Sequence, residues 1–265
     1  MAINELGNYL RARRQTVRPS DVGLPIETGR RVDGLRREEV ARLAGISPEY
    51  YLRLEQGRDT HPSDQVLRSL ARALNLDEVA TAYLHRIADP PPLPSFAPLP
   101  GSLDDEVFVF LDGFEETAAY VISSCHDVLA VNDRASRIFA FGTVGWNLFD
   151  ALFTDEARAN LPRWEEHVAL GISALRERCD PNDPRLHELV GRLLVREPDF
   201  ARLWERHDVS MQSSGVNATY VPSLGRMLTL KWQSLAVPGN ERLTLVAHYA
   251  DPGTPEAEVL RSLGE

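Results

Sequence analysis

The chain has 265 residues, is 43% hydrophobic, carries a formal charge of −10 and holds only two cysteines. That length predicts two domains, each able to bury its own core, and the cysteine count excludes a disulfide framework, leaving two buried thiols in a reducing compartment. The opening MAINELGNYLRARRQ lacks the uninterrupted apolar stretch of a signal peptide and no run approaches the roughly 18 apolar residues of a membrane span, so a cytoplasmic protein with no membrane partner is expected.

The net charge conceals an asymmetry. Residues 1–90 hold 14 Arg against 13 acidic residues, whereas residues 91–265 hold 15 basic and 26 acidic ones. An acidic second part repels nucleic acid, while a near-neutral first part can still present a local basic face.

Five helices are predicted first, from apolar residues at helical spacing: Leu6, Tyr9 and Leu10; Val40 and Leu43; Tyr51 and Leu54; Val66, Leu67, Leu70 and Leu74; and Val79, Tyr83, Leu84 and Ile87. Ser63 is placed as an N-cap. The connection from Arg18 to Leu35 is long and Gly-rich, and is expected to be mobile until it meets a partner.

The second and third helices lie in REEVARLAGISPEYYLRLEQG, packed about a tight turn. Gly45 supplies a left-handed residue and Ile46 plugs the corner, while Ser47 caps the following helix and Pro48 occupies its first position. Tyr51 and Leu54 face the core, which leaves Ser47, Pro48, Glu49, Tyr50 and Arg53 outward.

After the five helices, DPPPLPSFAPLPG (Asp89 to Gly101) contains six prolines in thirteen residues and reads as an extended spacer. Beyond it, AAYVISSCHDVLAVND reads as a hairpin followed by a helical turn in RASRIFAF. From Asn147 to Arg206 the spacing is helical again, with one stripe of Trp164, Val168, Ile172, Leu175 and Cys179 and another of Leu186, Leu189, Val190, Leu193 and Leu194. Strands return in RMLTLKWQSLAV, where Leu228, Leu230 and Trp232 alternate with polar residues. After the turn PGN, Leu243, Leu245 and Ala247 alternate with Thr244 and His248.

The fold expected is therefore multidomain: an all-α five-helix domain, then an α+β domain with an antiparallel sheet and helices on one side. The boundaries expected are 1–88, a linker at 89–103, 104–251, and a C-terminal tail at 252–265.

Through REEVARLAGIS…YLRLEQG…P, continued by GRDTHPSDQVLRSLARALNLD, the first part resembles the helix-turn-helix of the lambda- and 434-repressor type, the XRE family. The resemblance implies a double-stranded DNA partner, with the second helix of the pair in the major groove. The implied DNA-contacting residues are Arg36, Arg37, Ser47, Pro48, Glu49, Tyr50, Arg53 and Arg58. Arg37 is expected on a phosphate, and Ser47, Glu49, Tyr50 and Arg53 at base edges: Arg on guanine, Glu on the cytosine amine, Tyr on a thymine methyl or a phosphate. Pro48 and Glu49 stand where family members commonly carry amides, which removes the basis for an adenine reading.

The whole chain resembles a narrower family, the MmyB-like regulators, through RRVDGLRREEVARLAGISPEYYLRLEQGRDTHPSDQVL, DVLAVND, LPRWEEHVALGISALR, LVGRLLVREPDFARLWERHDV and VPSLGRMLTLKW. That resemblance implies a PAS-like second domain holding a small apolar ligand, with fatty acids the class it suggests. Members often carry a His before the Pro of the last block; here Tyr220 and Val221 precede Pro222.

Trp146, Phe149, Trp164, Phe200, Trp204 and Tyr220 are the candidate pocket rings, with His207 to orient a head group; the same rings also suit a plain core. SSCHD (Ser123 to Asp127) contains hydrolase residue types, but neighbours along a hairpin do not form a triad, so no catalytic residue is expected. Cys125, Cys179 and the scattered His show no metal-ligand spacing, and there is no phosphate-cradling loop, so neither metal nor cofactor is expected.

The reading is a ligand-responsive DNA-binding regulator acting as a homodimer, which the need to read a two-fold site suggests. Its rivals are a protein-interaction scaffold, which would lack salt-dependent, sequence-preferring DNA affinity, and an enzyme carrying a DNA-binding domain, which would join a nucleophile and a base in a C-terminal pocket.

Overall fold

A computed structural model describes residues 4–25, 30, 32–89, 103, 105–139, 143–237 and 240–263. The chain forms two compact units: Met1–Phe96 together with Pro198–Ser210, and Ala97–Glu197 together with Met211–Glu265. Most of the Pro-rich spacer expected at 89–103 lies outside the described residues.

The first unit holds α1 (Glu5–Thr16), α2 (Arg37–Ala44), α3 (Pro48–Glu55), α4 (Asp64–Ala73) and α5 (Glu78–Ala88). The predicted stripes form its core: Leu6, Tyr9, Leu10, Tyr51, Leu54, Leu67, Leu70 and Leu84 are all buried. Burial of each such side chain contributes roughly 1.5–3 kcal/mol. Ser63 caps α4 as expected, accepting from Val66 N at 3.4 Å. Leu43 departs from the expectation. It is 37% exposed, because Val40, Ala41 and Ala44 supply the buried face of α2.

The connection expected to be mobile is anchored at both described ends. A 3-10 turn at Pro19–Val22 closes on left-handed Gly23. At the other end Leu35 is fully buried, its N–H donates to Arg14 O at 2.8 Å and its carbonyl accepts from Arg14 Nη1 at 2.9 Å. This docking brings Gly34 against α1 so closely that a Cβ there would lie 2.3 Å from Gln15 O and 2.6 Å from Arg14 O. Those atoms are helical backbone and cannot yield. Gly34→Ala is therefore expected to cost about 1–3 kcal/mol, the range for overpacking, measurable as a lowered denaturation midpoint.

Residues 198–210 were expected in the second domain but pack in the first unit. The helix α12 (Pro198–Trp204) leads into a segment in which Asp208 Oδ1 accepts from Arg13 Nη2 at 2.6 Å and Arg206 O accepts from the same nitrogen at 2.9 Å. Val209 joins the core under the five helices.

The second unit is built on one antiparallel sheet in the order β2-β1-β5-β4-β3. The strands are β1 (Ala118–Ser123), β2 (Val128–Val131), β3 (Ser214–Val221), β4 (Arg226–Val237) and β5 (Asn240–Tyr249). The remaining helices are α6 (Asp105–Asp112), α7 (Asp133–Ile138), α8 (Leu148–Leu152), α9 (Asp155–Asn160), α10 (Trp164–Arg178), α11 (Pro184–Arg196) and α13 (Pro255–Ser262).

The alternation expected in β5 gives way to burial on both faces, and β1 is buried throughout. Tyr120, Ile122, Val246, Leu228 and Leu230 pack with Ile138 of α7 and Leu260 of α13. On the opposite face Ala119, Val121, Leu243 and Leu245 pack with Leu111 of α6. Helices therefore cover both sides of the sheet rather than one, and the expected tail at 252–265 contributes a buried helix face. His248, expected outward, is 5% exposed for the same reason. No described helix is long and apolar enough to cross a membrane.

Candidate functional site

The helix pair is set by its turn and its caps. Gly45 ends α2 at φ 69°, a left-handed conformation that a Cβ would penalise. Ser47 begins α3, its Oγ accepting from Tyr50 N at 3.1 Å.

One buried carboxylate joins three helices. Glu55, at the end of α3, is fully buried and accepts from Arg14 Nε of α1 and from Arg37 Nε of α2, each at 2.6 Å. Burial alone would raise its pKa, but the two guanidinium groups outweigh burial and hold it below the usual carboxylate range. Glu55 O also accepts from Asn4 Nδ2 at 3.1 Å. Arg37 is thus positioned by the core while 47% of its side chain stays in solvent.

A second pair fixes the start of α2. Arg30 clamps Glu39 through Nη1–Oε1 at 2.7 Å and Nη2–Oε2 at 2.6 Å, and Glu39 Oε2 also accepts from Arg36 N at 2.6 Å. The hydrogen bond from Arg30 is the main cause that lowers the Glu39 pKa to about 2. A carboxylate depressed on folding stabilises above its ordinary value of 4.5 and loses that contribution as pH falls toward 2. Arg30→Ala is expected to flatten the pH dependence of the melting temperature in that window, measured against wild type by thermal scans.

On the outer face of the pair Arg36, Arg37, Ser47, Pro48, Glu49, Arg53 and Arg58 are exposed and Tyr50 is half-buried. Arg53 Cζ lies 5.3 Å from the Tyr50 ring centroid, a cation–π arrangement that fixes both side chains on one face. The structure therefore brings Ser47, Pro48, Glu49, Tyr50 and Arg53 onto one helix, with Arg37 at the start of its partner. Sequence reasoning missed Glu55 as their support, because an acidic residue near a helix end reads as solvated.

The ring residues do not share one unit. Phe200 and Trp204 stack on each other at 5.6 Å and, with His207, belong to the first unit. His207 sits at φ 50° with Nδ1 3.6 Å from Glu5 Oε1, beyond hydrogen-bond reach. The other four rings belong to the second unit. Phe149 is fully buried against His126 at 5.6 Å and under α10, where a Cβ on Gly171 would lie 3.4 Å from its ring. The Trp164 indole donates to Leu152 O at 2.6 Å, Trp146 is 40% exposed, and Tyr220 is half-buried on β3.

The aromatic nest that the sequence did not signal lies on the α7 and α13 face. His248 stacks on Tyr120 at 5.8 Å and meets Phe139 edge-on at 4.7 Å. Its Nε2 lies 3.4 Å from Tyr120 Oη, while its buried Nδ1 has no hydrogen-bond partner among the described residues. Burial pushes its pKa down to about 4, so the ring is neutral near pH 7. In the SSCHD turn, Asp127 N donates to Ser123 Oγ at 3.1 Å while the His126 ring rests on Phe149.

Two family models match the chain. One for a helix-turn-helix domain covers residues 5–84, and one for the MmyB-like transcription regulator ligand binding domain covers residues 103–263. No curated protein matches it.

Proposed function

The chain belongs to the MmyB-like transcription regulators, and from that premise we propose that α3 is a major-groove recognition helix and that the second unit holds a small apolar ligand controlling its use. The carrying observation is the outer face of the helix pair: Ser47, Glu49 and Arg53 exposed on a helix whose base is pinned by the Glu55 ion pairs. Such a helix offers a guanidinium to guanine, a carboxylate to the cytosine amine and the Tyr50 ring to a thymine methyl. Arg36, Arg37 and Arg58 supply phosphate contacts around it.

The ligand reading rests on the matched ligand binding domain and on the aromatic face of the sheet, where His248 offers an unsatisfied nitrogen amid apolar rings. A fatty acid, a PAS-like description of the five-stranded domain, a cytoplasmic location and a homodimer belong to the same proposal. Ligand would shift the pose of two protomers and so decide whether two recognition helices reach half-sites about 34 Å apart.

The test has two arms. Fluorescence anisotropy of the full chain on duplex DNA pools should show sequence preference and an affinity that falls steeply with salt. Native mass spectrometry should show a lipid-sized adduct that is lost on unfolding and, when restored, changes the anisotropy titration. Salt-insensitive binding without sequence preference sinks the DNA reading; bare protein whose melting temperature no fatty acid changes sinks the ligand reading.

A further inference from the structure

The two cysteines, far apart in the sequence, meet in the second unit. Cys125 lies in the turn between β1 and β2, Cys179 caps the C-terminal end of α10, and Asp183 caps the start of α11. Their two sulfurs and a carboxylate oxygen all lie within 4.8 Å of one another, and all three residues are buried, at 2%, 1% and 6% exposure.

From this convergence we infer that Cys125, Cys179 and Asp183 form a binding site for a thiophilic divalent cation of the Zn²⁺ class. Two sulfurs and one oxygen are a donor set that zinc accepts, and three protein ligands leave a fourth position open to water. The site is built before the cation arrives. Cys125 O accepts from Asn147 Nδ2 at 2.8 Å, Cys179 N donates to Leu175 O at 2.9 Å, and Asp183 N donates to Asp180 O at 2.9 Å while its Oδ1 accepts from Arg185 N at 2.8 Å, so each ligand's backbone is held and the carboxylate is oriented.

Charge selects the divalent ion. Binding releases the two thiol protons to solvent, leaving two thiolates and the Asp183 carboxylate, three negative charges in all. The cation supplies two positive charges and Arg242, whose Nη2 lies 3.3 Å from Asp183 Oδ2, supplies the third. A divalent ion therefore offsets more of the buried negative charge than a monovalent ion would. A bound cation would tie the β1–β2 turn to the ends of α10 and α11, giving the regulator a second effector at a place distinct from the aromatic face.

The experiment uses the full chain, reduced with a phosphine and freed of metal. Cd²⁺ is titrated for its thiolate charge-transfer absorption, and Zn²⁺ affinity is measured in competition with a chromophoric chelator. One equivalent per protomer, with the absorption band and a raised melting temperature, is the expected result. Cys179→Ser should abolish the band. Asp183→Asn keeps an N-cap residue and hence the fold, and should weaken Zn²⁺ on the order of 10- to 100-fold or more, since even an outer-shell partner is worth that much. No band in the wild type, or Zn²⁺ affinity unchanged in both variants while they melt as wild type does, overturns the site. So does a pair that closes to a disulfide in air and takes up no metal once reduced.

Discussion

Glu55→Ala is expected to lower the stability of the first unit by about 3–5 kcal/mol, the cost of removing one partner from a buried ion pair. The reason is where the charge is left. Arg14 has only 10% of its side chain in solvent, so without Glu55 its guanidinium is left buried with the Leu35 carbonyl and the Tyr51 hydroxyl, neither of which carries a compensating charge. Arg37→Ala should cost less, because Glu55 then keeps Arg14 Nε at 2.6 Å on one oxygen and loses the guanidinium only at Oε2. At about 4–8 °C per kcal/mol for a unit of this size, Glu55→Ala should show a melting transition more than 10 °C lower, with Arg37→Ala lowered by less. Equal and small effects would mean that the three helices are held by their apolar contacts alone.

The same residue shows where the sequence was and was not legible. The turn at Gly45, the caps at Ser47 and Ser63, and the inward Tyr51 and Leu54 all follow from local rules, because a cap or a left-handed turn is decided within four residues. Glu55 needed knowledge of Arg14 and Arg37, which only folding brings to it. Leu43 failed for a related reason: periodicity marks an apolar residue, not whether a neighbouring helix covers it.

The sheet repeats the lesson. The hairpin of β1 and β2 was legible from its β-rich runs about a polar turn and the strands β4 and β5 by alternation, but β3 was not, since SGVNATYV mixes small and polar residues along an edge. There Gly215 matters by its lack of a side chain: a Cβ would lie 2.7 Å from Trp232 Nε1, so Gly215 lets the indole lie across the strand. Helix α6 was missed beside the Pro-rich spacer, and with it the second covered face. The placement of residues 198–210 and the meeting of Cys125 with Cys179 are long-range outcomes with no local signal at all. Of the candidate site, the outward residues of the helix pair were legible because exposure on a capped helix is a local property, while the surroundings of the ring residues were not, because a ring is equally at home in a pocket and a core.

Arg53→Ala is expected to weaken binding to a preferred duplex by about 1–3 kcal/mol, five- to 150-fold, and to relax preference at one base pair. Stability should hold within about 0.5 kcal/mol, because Arg53 is exposed and its described contact is the Tyr50 ring at 5.3 Å. Arg58, exposed just after α3, makes the contrast. If it meets phosphate, Arg58→Ala should weaken all duplexes alike and reduce the salt slope by about one. Glu49→Gln separates the two classes further, since it exchanges a cytosine-directed acceptor for an amide suited to adenine and should move preference rather than merely lower affinity. Anisotropy titrations of the three variants against duplexes differing at single positions read all of this. Were Arg53→Ala to bind every duplex as wild type does, α3 would not be the reading helix, however well the Glu55 ion pairs hold it in place.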